Sequence, residues 1–222
     1  AGGDRSVRLA TLGPGSIFGE MALVSDAPRA ASVRAAQASS LLVGSREALD
    51  SLAKLEPALG LQLGTFCHRR MISNLTRHSE ILSRLPLEDR HRLIASFEPR
   101  PLAPGEALIR EGDEAGGLAL IASGGVEVVG RDAEGDAVRL SELGPGEVVG
   151  EISLVLRRPA TADVIAIYPT LALVLARERF QDAIREYPGL LNELYEVATR
   201  RESETRTVIA QEALGVDDAI LL

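Results

Sequence analysis

The residues best suited to chemistry lie between positions 18 and 33. Gly19 allows a close backbone approach that a side chain would block, and a helical turn starting near Glu20 would direct unpaired N–H groups at an anion. Arg29 carries a permanent charge on a planar fork that can grip two phosphate oxygens. Glu20 repels phosphate but accepts hydrogen bonds from hydroxyl groups, and Ser32 can donate one. An anion clamp and a hydroxyl acceptor nine residues apart predict a small ribose phosphate as ligand.

The segment that contains these residues occurs twice in the chain. Residues 7–33 align without a gap with residues 138–164, at an offset of 131, and fourteen of the 27 positions are identical. The shared positions include Gly13/Gly144, Pro14/Pro145, Gly15/Gly146, Gly19/Gly150, Glu20/Glu151 and Pro28/Pro159. An offset of this size matches a whole domain and is too large for a solenoid repeat. The sequence therefore predicts one duplicated fold.

The two copies differ in what precedes the repeated segment. Residues 81–131 come before it in the second copy and have no counterpart in the first. We expect residues 1–78 to be the C-terminal part of a first domain, truncated at its N-terminus, with a connecting helix. Residues 79–222 should form a second, complete domain. A natural partial domain is the alternative, but it would leave open sheet edges that proteins usually avoid.

The second copy indicates a mainly β architecture with flanking helices. Gly124-Gly125 predicts a hairpin turn between two apolar runs, and Gly135-Asp136 predicts another turn. A short helix is expected over 90–97, and the expected strands cover 107–109, 118–121, 126–129, a stretch around 138–140, 164–167 and 171–175. Many short strands with regular turn signals are typical of a jelly-roll β-barrel.

Helical patterns follow each β-rich part. In the first copy they cover 47–55 and 57 to about 77, and in the second 177–186 and a stretch from Pro188 onward. The apolar stripe of the helix from Pro57, which includes Leu59, Leu63 and Cys67, could pack on its own domain or form the seam of a homodimer.

The pattern Phe-Gly-Glu-x-Ala-Leu, a short spacer and Pro-Arg-Ala-Ala-Ser-Val closely resembles the cyclic-nucleotide-binding domain of catabolite activators and kinase regulatory subunits. The resemblance implies a β jelly roll in which Glu20 holds the ribose 2′-hydroxyl and Arg29 the cyclic phosphate. The ligand contacts that it implies are Gly19, Glu20, Met21, Ala22, Arg29, Ala30 and Ser32. Alanine at position 30 favours cyclic AMP over cyclic GMP in this family.

The second copy departs from the pattern at the anion clamp. It keeps Glu151, but Ala160 replaces the arginine and Asp163 replaces the serine. Loss of an arginine–phosphate contact removes about 1.5–3 kcal/mol of binding free energy, and a nearby carboxylate adds repulsion. Arg157 and Arg158 are either solvated loop charges or substitutes for the missing cation. We expect a degenerate module with a structural or regulatory role.

Composition excludes several classes of function. A net charge of −8 and 3% aromatic residues disfavour direct contact with nucleic acid. No run of apolar residues reaches the roughly 18 needed to span a membrane, and the single cysteine, Cys67, suits a reducing cytoplasm.

Nothing in the sequence indicates catalysis. His68, His78 and His91 fall in the helical stretch between the two copies, where they do not form a metal-binding pair. Cys67 is expected in a core, and the Arg-Arg pairs at 69–70 and 200–201 are expected to be solvated, although they could cap a bound base.

The leading hypothesis is a cyclic-nucleotide sensor that signals through the helix from Pro57. A ligand-free interaction scaffold is one alternative. The ligand-binding part of a transcription regulator, with its DNA-binding domain outside this chain, is another.

Overall fold

The computed structural model describes residues 11–20, 32–114 and 116–213. Within these ranges the helices are α1 Arg46–Leu55, α2 Pro57–His78, α3 Glu80–Ser83, α4 Leu87–Ile94, α5 Glu151–Leu156, α6 Arg177–Glu186 and α7 Pro188–Ala213. The strands are β1 Glu98–Leu102, β2 Ala107–Ile109, β3 Gly117–Ser123, β4 Val126–Arg131, β5 Ala137–Leu143, β6 Val148–Val149, β7 Asp163–Ala166 and β8 Thr170–Ala176. All strands therefore belong to the second copy, and residues 32–45 form neither helix nor strand.

The eight strands form two antiparallel sheets of four, in the orders β1-β8-β3-β6 and β2-β7-β4-β5. The first strand and the last strand of each sheet do not pair with each other, so among the described residues the sheets of the predicted jelly-roll β-barrel are not closed. Two packed four-stranded sheets correspond to the double-sheet form of a jelly roll.

Strand β3 lies between two cores and shows how the layers are built. Successive side chains of a strand point to opposite faces of its sheet. Leu118 and Leu120 pack in a cluster with the helices, whereas Ala119 and Ile121 pack in a second cluster between the two sheets. The first sheet therefore has an apolar layer on each face, with α2, α3, α4, α6 and α7 contributing to one of them.

The helices that follow each β-rich part were predicted almost to the residue. Helix α1 begins after Ser45, whose side chain accepts a hydrogen bond from the Ala48 N–H. Helices α2 and α7 begin at Pro57 and Pro188, a favoured first helical position. Helix α6 has the predicted bounds, Arg177–Glu186.

Two expectations for the second copy need correction. Helix α4 starts directly after Pro86 and ends at Ile94, so it lies three residues before the predicted range. Strands β3 and β4 flank Gly124-Gly125, but they belong to different sheets, so this connection is not a hairpin. It carries the chain from one sheet to the other.

Strand β1, with the sequence Glu-Pro-Arg-Pro-Leu, was not predicted because prolines usually interrupt strands. It lies at the edge of its sheet and pairs only with β8 among the described strands. Proline is tolerated at an edge because its missing N–H can face away from the partner strand.

No helix in the described part of the chain combines the length and apolarity needed to cross a membrane.

The crossing between the sheets provides a test of packing around Gly124. This residue has φ +84°, and an added Cβ would lie 2.6 Å from the Pro169 carbonyl oxygen and closer still to the Thr170 hydroxyl. Gly135 also has a positive φ, but an added Cβ would meet no atom within 4 Å. Gly135→Ala should therefore lower the free energy of unfolding by about 1 kcal/mol, and Gly124→Ala by about 2–4 kcal/mol, because only the latter adds a steric clash. Urea denaturation measures both, and equal losses would contradict this packing.

Candidate functional site

We call residues 18–33 the first cassette, of which the structure describes residues 18–20 and 32–33. Gly15 and Gly19 have φ of 78° and 81°, the left-handed region that glycine adopts at little cost. Glu20 follows and is only 6% exposed. Among the other predicted contacts, Ser32 is exposed, whereas Met21, Ala22, Arg29 and Ala30 lie outside the described residues. The predicted pairing of Glu20 with Arg29 around one ligand stays a prediction.

The buried Glu20 carboxylate contacts helix α2. The Nε of Arg70 lies 3.1 Å from Glu20 Oε1, and the two side chains are 40% and 5% exposed. The Cys67 thiol donates to the Glu20 carbonyl oxygen at 3.7 Å. Cys67 and Arg70 are three residues apart, so they lie on the same face of the helix. One helix face thus holds both the side chain and the backbone of the cassette glutamate.

These surroundings change the chemistry of Cys67. Burial raises the pKa of its thiol, and the negative charge of Glu20 raises it further. Because a thiol becomes a nucleophile only after it loses its proton, a raised pKa disfavours the reactive form of Cys67. The prediction that Cys67 is a core residue is confirmed, because it is 1% exposed.

The second cassette, residues 149–164, has the same local arrangement and is described completely. Gly150, at φ 86°, precedes helix α5, and a Cβ added there would lie 2.6 Å from the Gly117 carbonyl oxygen. Glu151 is the first residue of α5, and its side chain is 2% exposed. Its Oε1 accepts from Arg201 Nη1 at 2.9 Å.

Arg201 joins three parts of the second cassette to helix α7. Besides Glu151, its guanidinium donates to the Val148 carbonyl oxygen and lies 3.5 Å from Glu147 Oε1. The neighbouring Arg200 is different: it forms an exposed ion pair with Glu80 at 3.0 Å and holds the pKa of that carboxyl below its ordinary value by hydrogen bonding.

The expectation that all four helix arginines are solvated charges is wrong for Arg70 and Arg201. Both bind the buried cassette glutamate of their own copy. Their separation of 131 residues equals the offset of the repeat, as does that between Glu20 and Glu151. Extending the alignment past residue 33 would have shown that Arg70 and Arg201 are equivalent positions, whereas their contacts with the glutamates are seen only in the structure.

A cavity of about 560 Å³ opens beside Glu151. Its apolar wall comes from strand residues such as Ile109, Val128 and Val149, and α7 contributes Arg200, Arg201 and Thr205. This volume lies within the range of small-molecule sites, roughly 300–1,000 Å³.

The residues that replace the anion clamp occupy different places. Ala160 lines the cavity and is 9% exposed. Asp163 is not among the lining residues, because its Oδ1 accepts from the Glu111 N–H at 2.8 Å. The expected repulsion from a carboxylate at the phosphate position therefore has no support in this geometry.

Neither loop arginine substitutes for the missing cation. Arg158 is not a solvated charge, since it binds Glu202 on α7 at 2.6 Å. Arg157 adopts φ 53° and lines a separate cavity beside α6.

Metal-binding clusters are absent from the part of the chain that the structure describes. His68 and His91 are exposed helix residues in α2 and α4.

Comparison with known proteins identifies the fold. The family model for the cyclic nucleotide-binding domain matches residues 2–55 and 99–187, which is well over half of the chain. The chain belongs to this family. The matched ranges contain both cassette glutamates, whereas Arg70 and Arg201 lie outside them.

Two curated relatives are longer than the part that they share with this chain. The cAMP-dependent protein kinase regulatory subunit of Hypocrea atroviridis is 32% identical over 83% of this chain and 37% of its own length. The acetyltransferase Pat of Mycolicibacterium smegmatis is 38% identical over 49% of this chain and 32% of its own length. The chain thus spans about a third of these relatives, whose names include both a regulatory subunit and an enzyme.

Solved structures agree with the family. The catabolite activator protein of Thermus thermophilus aligns with a TM-score of 0.55 at 29% identity, covering 61% of this chain and 63% of that one. A regulatory subunit of a cAMP-independent protein kinase A from Trypanosoma brucei aligns with a TM-score of 0.54 at 26% identity, covering 66% and 51%.

The adjacent arginines of α7 allow a matched test of the buried pair. Arg201→Ala should lower the free energy of unfolding by about 2–4 kcal/mol, because it leaves the buried Glu151 carboxylate without its cation. Arg200→Ala removes an exposed pair and should cost less than about 1 kcal/mol. Chemical denaturation measures both values. Adding Glu151→Gln to Arg201→Ala should recover part of the loss, and equal effects of the two single variants would refute the assignment.

Proposed function

We propose that this chain is the regulatory, non-catalytic part of a cyclic-nucleotide sensor, with cyclic AMP bound by the first cassette. The proposed contacts are those named from sequence: Gly19, Glu20, Met21, Ala22, Arg29, Ala30 and Ser32. Family membership supports binding of a cyclic nucleotide. The choice of cyclic AMP over cyclic GMP rests on Ala30, and the cytoplasmic location rests on the single cysteine.

The observation that carries the proposal is the ion pair between Glu20 and Arg70. A carboxylate can accept several hydrogen bonds, so a ligand hydroxyl can share Glu20 with Arg70 or compete for it. Either event changes the free energy of the contact between cassette and helix. A ligand can shift a conformational equilibrium only through such differential contacts.

Helix α2 also reaches the second half of the chain. Met71 and Leu75, 3% and 2% exposed, belong to the apolar cluster that includes Phe97, Leu190 and Leu194. Arg70 is the residue immediately before Met71, so a displacement of α2 at the cassette would act directly on this cluster. We propose that the signal passes along this helix.

The duplication is a further part of the proposal. Turn geometry supports it, because the Ser16 N–H donates to the Gly13 carbonyl at 3.1 Å and the Glu147 N–H donates to the Gly144 carbonyl at 3.2 Å. Helices α1 and α6, each of ten residues, begin 131 positions apart. We propose residues 1–78 and 79–222 as the two units, the second with a changed cassette.

Binding should depend on the arginine of the first cassette. Arg29→Ala should weaken cyclic AMP binding by roughly 10- to 150-fold, the equivalent of losing one charged hydrogen-bonded contact of about 1.5–3 kcal/mol. Isothermal titration calorimetry on the whole chain, with cyclic GMP and AMP as competitors, measures the change. Arg34→Ala removes the same charge five residues later and should leave the affinity unaltered. Absence of binding to the unmodified chain would favour the scaffold alternative.

Cys67 provides a reporter for helix α2, since it is the single cysteine of the chain. Its raised pKa means that alkylation by iodoacetamide should be slow near pH 7 and should accelerate as the pH rises through that pKa. Saturating cyclic AMP should slow the reaction at least about twofold, because the thiol is buried and reacts through open forms whose population falls when a ligand binds the closed form. The Arg29→Ala variant should need a roughly 10- to 150-fold higher cyclic AMP concentration for the same slowing. An alkylation rate that is unchanged at proven saturation would argue against transmission through α2.

A further inference from the structure

A cavity of about 320 Å³ lies between the C-terminal end of helix α5 and helix α6. Its volume falls at the lower end of the range for small-molecule sites, roughly 300–1,000 Å³. None of its lining residues also lines the cavity beside Glu151, so the two cavities are distinct. We call this one the α5–α6 cavity, and its lining consists of Leu154, Arg157, Arg177, Phe180, Gln181 and Ile184.

One face of helix α6 forms most of the α5–α6 cavity. Arg177, Phe180, Gln181 and Ile184 are spaced by three, one and three residues, which places them on the same side of a helix. Phe180 is 4% exposed and belongs to the apolar cluster of the helices, against which Leu154 and Ile184 pack. Arg177 and Gln181 are exposed. The cavity therefore has an apolar floor and a polar rim.

Two cations lie at this rim, and no carboxylate belongs to the lining. Among the described residues, the side chains of Arg157 and Arg177 form neither an ion pair nor a hydrogen bond. Asp182 of α6 does not line the cavity and binds Arg185 at 3.1 Å. The cavity thus concentrates two uncompensated positive charges on a chain whose net charge is −8.

The backbone of Arg157 is held in an unfavourable conformation. Its φ of 53° and ψ of 49° are left-handed, and it is the single non-glycine residue with a positive φ in the part of the chain that the structure describes. Glycine usually ends a helix in this way, because a side chain adds a steric cost. Strain of this kind concentrates at functional sites. The first copy has Asp26 at the equivalent position and Asp50 in place of Gln181, so the pair of cations is a feature of the second copy.

We propose that the α5–α6 cavity binds a small amphipathic anion, with a carboxylate or phosphate group on a short apolar chain. The guanidinium groups of Arg157 and Arg177 hold the anionic group, Gln181 donates a further hydrogen bond, and the chain packs on the apolar floor around Phe180. The net charge of the protein repels anions elsewhere, so binding requires these local cations. The assignment does not depend on the proposed function of the first cassette, because none of the proposed cyclic AMP contacts lines this cavity.

Titration of the whole chain with hexyl phosphate and with hexanoate tests the proposal. At least one of these anions should bind, and its affinity should exceed that of 1-hexanol and of inorganic phosphate at least tenfold, because the first lacks the charge and the second lacks the chain. Calorimetry measures the affinities, and backbone amide NMR should show shifts centred on residues 154–157 and 177–184. No binding of either anion at millimolar concentration, equal binding of 1-hexanol, or shifts centred on Glu151 would overturn the proposal.

Three variants check the role of the two arginines. Arg157→Gly removes a guanidinium at a φ that suits glycine, so the protein should stay folded while the affinity for the better anion falls at least tenfold. Arg177→Gln should have a similar effect. Arg179→Gln removes the same charge from the opposite face of α6, where Arg179 pairs with Glu98, and should leave the affinity unaltered. Thermal denaturation checks that each variant is folded. An unchanged affinity in Arg157→Gly, or an equal loss in Arg179→Gln, would refute the assignment.

Discussion

A buried carboxylate at the start of each cassette requires a cation, and in this chain that cation comes from the helix that follows the β-rich part. Leaving Glu20 or Glu151 without a partner would place an uncompensated charge in a dry environment. Arg70 and Arg201 prevent this by reaching back from α2 and α7. The position of each helix is therefore tied electrostatically to the cassette of its own copy. The rest of the architecture keeps each carboxylate within reach of its arginine.

Local sequence signals predicted much of the fold. The predictable features were the helix starts at Pro57 and Pro188, the glycine-rich turns and the apolar strands β7 and β8. Each of them depends on residues that are neighbours in the sequence. Pairing between distant strands was not accessible in this way. The glycines at 124–125 predicted a turn correctly but not the sheets that it connects, since the choice between a hairpin and a crossing depends on packing far along the chain.

Only part of the site around Glu151 could be predicted, because its residues are also far apart in the sequence. Glu151 could be found from the repeat, but its partner Arg201 is fifty residues away and outside the most similar segment. Asp163 was expected in the cavity from its alignment with Ser32, yet it binds the Glu111 backbone. Sequence alignment transfers a position along the strand, whereas the direction of a side chain depends on which hydrogen bonds are available nearby.

The edge strand β1 has a consequence for how the molecule behaves at high concentration. In an antiparallel pair the backbone groups of alternate residues point to opposite sides. Pro99 and Pro101 alternate with Glu98, Arg100 and Leu102, so both prolines lie on the same side of the strand. Neither proline has an N–H, so two positions of this edge strand cannot donate to an added strand. The sheet with a layer of apolar side chains on each face is thus protected, along this edge, against growth into fibrils.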